Sequence, residues 1–171
     1  MSLRVAVQMD PLHSINIAGD SSFALMLSAQ ERGYELFHYD VGSLTLDEDD
    51  RLHALAYPVQ VQRVEGDHFR IGEARRLDLG RDVDVVLMRQ DPPFHMGYIT
   101  ATHLLERIEG ETLVINNPVS VRNAPEKVLV LDFRRFMPPT LVTRSADEVR
   151  RFMAKHGTVV VKPIHGNGGK A

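Results

Sequence analysis

Apolar positions recur along this chain in two alternating periods. Leu3-Arg4-Val5-Ala6-Val7-Gln8-Met9 is a short apolar run that predicts a strand. Asp20-Ser21 then offers a helix N-cap ahead of Phe23, Met26, Leu27 and Gln30, with Gly33 as the C-terminal stop. Glu35 to Tyr39 reads as a second strand and Asp82 to Met88 as a third, almost uninterrupted one. Ala101, Leu104, Leu105 and Ile108 mark one helix face at i, i+3, i+4 and i+7, and Leu113 to Asn116 returns to a strand. Strand, helix, strand units repeated in this way predict an α/β fold, an open parallel sheet flanked by helices. Between them, Val59, Val61 and Val64, the turn Glu65-Gly66-Asp67, then Phe69 and Ile71 suggest a hairpin set beside that sheet.

The pattern changes character near Asn116-Asn117-Pro118. Asn123-Ala124-Pro125-Glu126 opens a short helix through Phe133, with proline early and an acid in the first turn. Pro138-Pro139 breaks the chain before a predicted strand at Leu141 to Thr143. Ser145 and Glu148 form a capping box for a helix whose buried face would be Val149, Phe152 and Met153, ended by Gly157. A last strand is expected at Val159-Val160-Val161. These signals place a complete α/β domain at 1–122 and the beginning of a second, incomplete domain at 123–171.

Composition narrows the function classes. With 171 residues, 43% hydrophobic and 25% charged, the chain is expected to be globular, and its formal charge of −3 gives no reason to expect nucleic acid or an anionic membrane as partner. The absence of cysteine removes disulfides, zinc thiolate sites and a cysteine nucleophile together. No stretch approaches the length needed to span a bilayer, and no leader precedes the first strand, so a cytoplasmic protein is expected.

Candidate chemistry gathers where parallel strands end, because open sheets bind ligands at their carboxyl edges. Three polar clusters fall there: Asp10 to Ser22, then Arg89-Gln90-Asp91, then Asn116-Asn117. Asn16, Asp20, Ser21 and Ser22 would bring side chains and a helix N-terminus to one rim, and Arg89, beside Asp91, would add a fork suited to a carboxylate. The plainer readings are a helix cap at Asp20 or Ser21 and a local ion pair between Arg89 and Asp91. Asp47 to Asp50 reads as a solvated loop, and the eight histidines show no metal-ligand spacing. At the other end, Lys162 follows a β-branched run and precedes Gly166-Asn167-Gly168-Gly169, residues that let a backbone approach phosphates. An ordinary turn and a surface charge are the alternatives there. The other half of such a site would need further chain, so the front part of a longer enzyme is expected.

Several strings sharpen this picture. Met9-Asp10-Pro11, Ile15-Asn16-Ile17, Asp20-Ser21-Ser22-Phe23-Ala24, Arg89-Gln90-Asp91-Pro92-Pro93-Phe94, Glu126-Lys127 and Lys162-Pro163 through Gly169 occur in an order that resembles the bacterial glutathione synthetase family over the whole chain. That resemblance implies a Rossmann-like pre-ATP-grasp domain followed by the start of an ATP-grasp domain. It implies ligation of glycine to γ-glutamylcysteine through an acyl phosphate made with ATP and Mg2+. By motif, Lys127, Lys162, Gly166, Asn167, Gly168 and Gly169 would bind nucleotide. Asn16, Asp20, Ser21, Ser22, Arg89 and Asp91 would hold the dipeptide. Lysines suit phosphoryl transfer because positive charge is needed where negative charge builds. No catalytic or metal-ligating residue is assignable in this sequence, and a homo-oligomer is expected from the family. Gln90 and His95 stand where many members carry lysine and aspartate, which leaves the contacts of that loop open. A different ATP-grasp carboxylate–amine ligase and a non-catalytic binding or assembly module are the competing functions.

Overall fold

The computed structural model of the chain describes residues 2–164 and divides into two compact units, 1–123 and 124–171. In the first unit, β1 (Arg4–Gln8) leads through α1 (Ser21–Glu31) into β2 (Glu35–Tyr39). The small strands β3 (Thr45–Leu46), β5 (Phe69–Ile71) and β6 (Arg75–Asp78) surround the long β4 (Leu52–Val61). β7 (Val85–Met88), α2 (Met96–Glu106), β8 (Leu113–Ile115) and α3 (Pro118–Asn123) complete it.

The strands run in the order β3-β4-β2-β1-β7-β8, with β5 and β6 also paired to β4. The expected parallel sheet is one side of it, ending at β8: β2, β1, β7 and β8 are all parallel, in registers such as Val7↔His38 and Val7↔Leu87. β4 joins antiparallel to β2 and carries the expected hairpin, so the hairpin extends the sheet and does not merely lie beside it.

Side-chain alternation along β1 feeds two cores. Val5, Val7 and Met9 face α1 and pack with Phe23, Met26 and Leu27, whereas Ala6 joins Val86, Met88, Leu105 and Ile108 on the α2 face. The two crossovers therefore leave the central strands on opposite faces of the sheet.

Helix ends follow the sequence. Asp20 accepts from Phe23 N at 2.7 Å, and Gly33 adopts φ 76°, the left-handed turn that glycine tolerates. Asn117 accepts from Ser120 N at 2.8 Å and starts α3, a helix the sequence reading did not anticipate. The strand predicted from Asp82 shortens to Val85–Met88, because Asp82 accepts from Asp78 N and Asp84 from Arg4 N, both acting as local acceptors.

β2 and β4 splay apart beyond the Phe37↔Pro58 pair. Gln30 of α1 fills the place a strand would take: its carboxamide donates to Val61 O at 2.9 Å and accepts from Val61 N at 2.8 Å. On the far side, Arg51 grips Asp78 through Nε and Nη2 and Glu111 through Nη1 and Nη2, all between 2.9 and 3.0 Å. This joins the start of β4, the end of β6 and the turn before β8. The acidic stretch 47–50 is also more engaged than a solvated loop. Asp47 accepts from Arg51 N and lies 2.7 Å from His53 Nε2, and Asp50 pairs with Arg107.

In the second unit, α4 (Glu126–Leu129) runs into a 3-10 stretch, Val130–Phe136, kinked at Phe133. α5 (Ala146–His156) begins at the expected cap, Ser145 accepting from Glu148 N at 3.4 Å, and ends at Gly157 with φ 76°. The apolar face of α5 is uncovered, as expected for an incomplete domain: Val149 and Phe152 are half-exposed and Met153 is exposed. The strands predicted at 141–143 and 159–161 do not form. Among the described residues neither run has a strand to pair with, and Val142, Val160 and Val161 stand exposed. Among the described residues no helix is long and apolar enough to cross a membrane.

The Arg51 grip predicts an acid limb to stability. Burial of Asp78 opposes its ionisation, but hydrogen bonds from Arg51 and Gly80 N, with the guanidinium charge, outweigh it and hold the carboxyl below its usual value. Asp47 is lowered as well, mainly by the Arg51 N–H and then by His53. A depressed folded pKa contributes stability that is complete above the unfolded value near 4 and is lost as pH falls through the folded one. Asp78→Asn should cost about 1–2 kcal/mol at pH 7, after discounting for partial solvent screening. It should also flatten the fall of melting temperature below about pH 4. Thermal melts of both proteins from pH 2 to 8 measure both effects.

Candidate functional site

β1 and β7 are neighbours whose crossovers depart to opposite faces, so their carboxyl ends border a crevice that no connection covers. A pocket of about 370 Å³ lies there. Met9 and Asp10 enter it from the end of β1, Ser14, Ile15, Asn16, Gly19 and Asp20 from the following loop, and Arg89 and Asp91 from the end of β7.

Of the residues picked from sequence for a substrate, Asn16, Asp20, Arg89 and Asp91 line this pocket. Ser21 and Ser22 do not line it and instead hold the arginine. Arg89 Nε donates to Ser22 Oγ at 3.1 Å and Nη2 to Ser21 Oγ at 2.6 Å, which orients the guanidinium from the first turn of α1. The expected Arg89–Asp91 ion pair is absent among the described residues. Asp91 N instead donates to Asp10 Oδ2 at 2.8 Å, tying the two strand-end loops together. Asn16 shapes its own turn, with Oδ1 accepting from Ala18 N at 3.0 Å. The third polar cluster does not join the rim: Asn117 caps α3, and Asn116 Nδ2 reaches Met88 O at 3.4 Å.

The two positions that depart from the family pattern also have definite places. Gln90 turns inward, where its Oε1 accepts from Gln8 Nε2, and both amides are buried. His95 is the N-cap of α2, its Nδ1 accepting from Tyr98 N at 3.1 Å.

Tyr98 is the neighbour that sequence reasoning missed. Burial pushes its phenol pKa up, Arg89 pulls it down, and Asp91 and Asp10 push it up, with a net rise that keeps it protonated. Its ring packs on Phe94 at 5.0 Å. The available signal was its position in the first turn of the helix that follows the Arg89 loop. A larger groove of about 860 Å³ lies where β2 and β4 splay, far from the strand carboxyl ends, and carries none of the residues picked for chemistry.

In the second unit, Lys127 Nζ lies 3.8 Å from Glu126 Oε1 and is half-buried, and Lys162 is exposed outside any helix or strand. Gly166, Asn167, Gly168 and Gly169 lie outside the described residues. No group of three or more His, Asp or Glu side chains that could hold a metal ion is present among the described residues.

The sequence of the chain matches a known family. Residues 3–122 match the family described as "Prokaryotic glutathione synthetase, N-terminal domain", and residues 126–171 match "Prokaryotic glutathione synthetase, ATP-grasp domain". The whole chain is 56% identical to a glutathione synthetase from Rhodopseudomonas palustris, of which it covers 54%. It is 54% identical, over 100% of its length, to one from Bradyrhizobium diazoefficiens, again covering 54%. With one from Brucella melitensis the identity is 51% over 99% of the chain and 54% of that protein. The chain thus spans about half the length of these relatives.

Asp20 has a role in both the pocket wall and the α1 cap, and substitution separates them. Asp20→Ala should lower stability by about 1 kcal/mol through loss of the cap, whereas Asp20→Asn, itself a good N-cap, should recover most of it. Urea denaturation of the two variants checks this.

Proposed function

The chain belongs to the prokaryotic glutathione synthetase family, and on that premise we propose that the whole protein is an ATP-dependent ligase joining γ-glutamylcysteine to glycine. The observation that carries the reading is the mixed charge of the β1/β7 pocket, in which Arg89 faces the same space as Asp10, Asp20 and Asp91. The γ-glutamyl end of the dipeptide carries an ammonium and a carboxylate on one carbon. An arginine fork suits the carboxylate, and acids on the opposing wall suit the ammonium. Arg89 has Nη1 left for this, since its hydrogen bonds among the described residues use Nε and Nη2.

In the proposed reaction an oxygen of the cysteinyl carboxylate attacks the γ-phosphorus of ATP and ADP departs. The glycine amine then attacks the acyl carbon of the resulting acyl phosphate, and inorganic phosphate leaves. The contribution of this chain is to bind and orient the dipeptide through Asn16, Asp20, Arg89 and Asp91, with Ser21 and Ser22 steadying Arg89. Lys127 and Lys162, with residues 166–169, would place positive charge and backbone N–H groups on the phosphates. Mg2+ belongs to the same reading, but no step is drawn through it. Homo-oligomeric assembly and a cytoplasmic location complete the proposal and rest on the family.

Arg89→Ala should weaken γ-glutamylcysteine binding, measured calorimetrically, by at least about tenfold, or ~1.4 kcal/mol, with ATP binding little changed. Lys162→Met should do the reverse, because methionine retains the apolar stem and removes only the charge. Equal losses of both ligands in either variant would count against the assignment.

A further inference from the structure

The loop from Asp10 to Asp20 makes most of the pocket wall, and apart from the bond that Asp10 Oδ2 accepts from Asp91 N at its first residue, its own hydrogen bonds are local. Ser14 N and Oγ donate to Pro11 O, Gly19 N and Asp20 N donate to Asn16 O, and Ala18 N donates to Asn16 Oδ1. Such bonds close turns, but they do not fix a loop against the body of a protein.

Two histidines reach it from outside the pocket. His38, in β2 and 7% exposed, places Nε2 3.3 Å from Asp10 O. His68, just before β5 and 9% exposed, places Nε2 2.7 Å from Leu12 O. The His68 ring stands edge-on to Phe23 of α1, with centroids 5.9 Å apart, and to Phe69 at 5.0 Å, so its orientation is set by packing on both sides. A carbonyl oxygen only accepts, so both imidazoles carry their hydrogen on Nε2. Leu12 itself is buried, which seats the loop at the point that His68 holds.

We propose that His38 and His68 are positioning residues that anchor the β1–α1 loop to the sheet and the hairpin, and so keep Asp10, Asn16 and Asp20 in the pocket wall. The functional part of this rests on the reading of the pocket as a dipeptide site. Neither histidine lines the pocket, so each acts on a ligand only through the loop. If an anchor is lost and the loop spends a tenth of its time in the binding conformation, affinity falls about tenfold without any change in a contacting group.

The test combines amide hydrogen exchange with calorimetric titration of γ-glutamylcysteine, in the unsubstituted chain and in His68→Leu, His68→Gln and His38→Leu. In His68→Leu, exchange at Ser14, Gly19 and Asp20 should accelerate at least about tenfold relative to the β1 amide of Val7, and dipeptide affinity should drop by about the same factor. His68→Gln, which retains an N–H donor of similar reach, should recover most of both. Loop exchange unchanged relative to Val7 in both leucine variants would overturn the proposal. Equal acceleration at Val7 and the loop would also overturn it, since His68 would then serve general stability alone. Should His68→Leu fail to fold, the same comparison in His38→Leu decides. These measurements are made in the whole protein, where faster loop exchange in an enzyme whose unsubstituted form binds no dipeptide would uphold the anchoring and reject only the substrate reading.

Discussion

The parallel pairing of β1 with β7 is the constraint on which the first unit depends. With Gln8 opposite Met88, and Arg89 N donating to Gln8 O at 2.8 Å, two strands far apart in sequence end at the same level. Each then sends its crossover to a different face, because successive side chains of β1 are committed to different cores. A one-residue slip would send Val7 and Ala6 to the wrong cores and would also carry Arg89 away from Asp10 and the serines of α1. Register, core and pocket are therefore a single choice.

The pocket is built largely from groups already in use. Asp20 caps α1 with one oxygen and faces the crevice, Asp10 secures Asp91 through its carboxylate, and the serines that begin α1 hold Arg89. Prior engagement lowers the conformational entropy that a ligand must remove on binding, because the side chains are oriented before it arrives. It also means that structural and ligand-facing duties cannot be separated by residue type. The sequence presents capping and binding as alternatives for Asp20, and the fold gives that one residue both positions.

How much of this was legible depended on whether a signal was local. The apolar runs of β1 and β2, the caps at Asp20 and Ser145 and the stops at Gly33 and Gly157 rest on near-neighbour physics, and the structure has them where the sequence placed them. The first half of β4 was not found, since Ala54 and Ala56 on its buried side carry no strand preference of their own and are held there by pairing with β6. The opposite error occurred at 141–143 and 159–161, where β-branched residues promised strands that have no pairing partner among the described residues. At the pocket, Asn16, Asp20, Arg89 and Asp91 were found because strand ends are readable. Tyr98 was not, nor were the histidines behind the loop, because their roles exist only through contacts remote in sequence.

The carboxamide of Gln30 has a consequence for how this molecule behaves among its copies. Beyond Pro58, β4 turns an unaccompanied flank toward the splayed groove, and an extended segment of another chain would need free main-chain groups there in order to zip on. By occupying both the N–H and the carbonyl of Val61, Gln30 removes the outermost docking rung of that flank. A side chain from a neighbouring helix thus acts as a false strand, and it protects the molecule from runaway polymerisation along an edge that the hairpin would otherwise leave open.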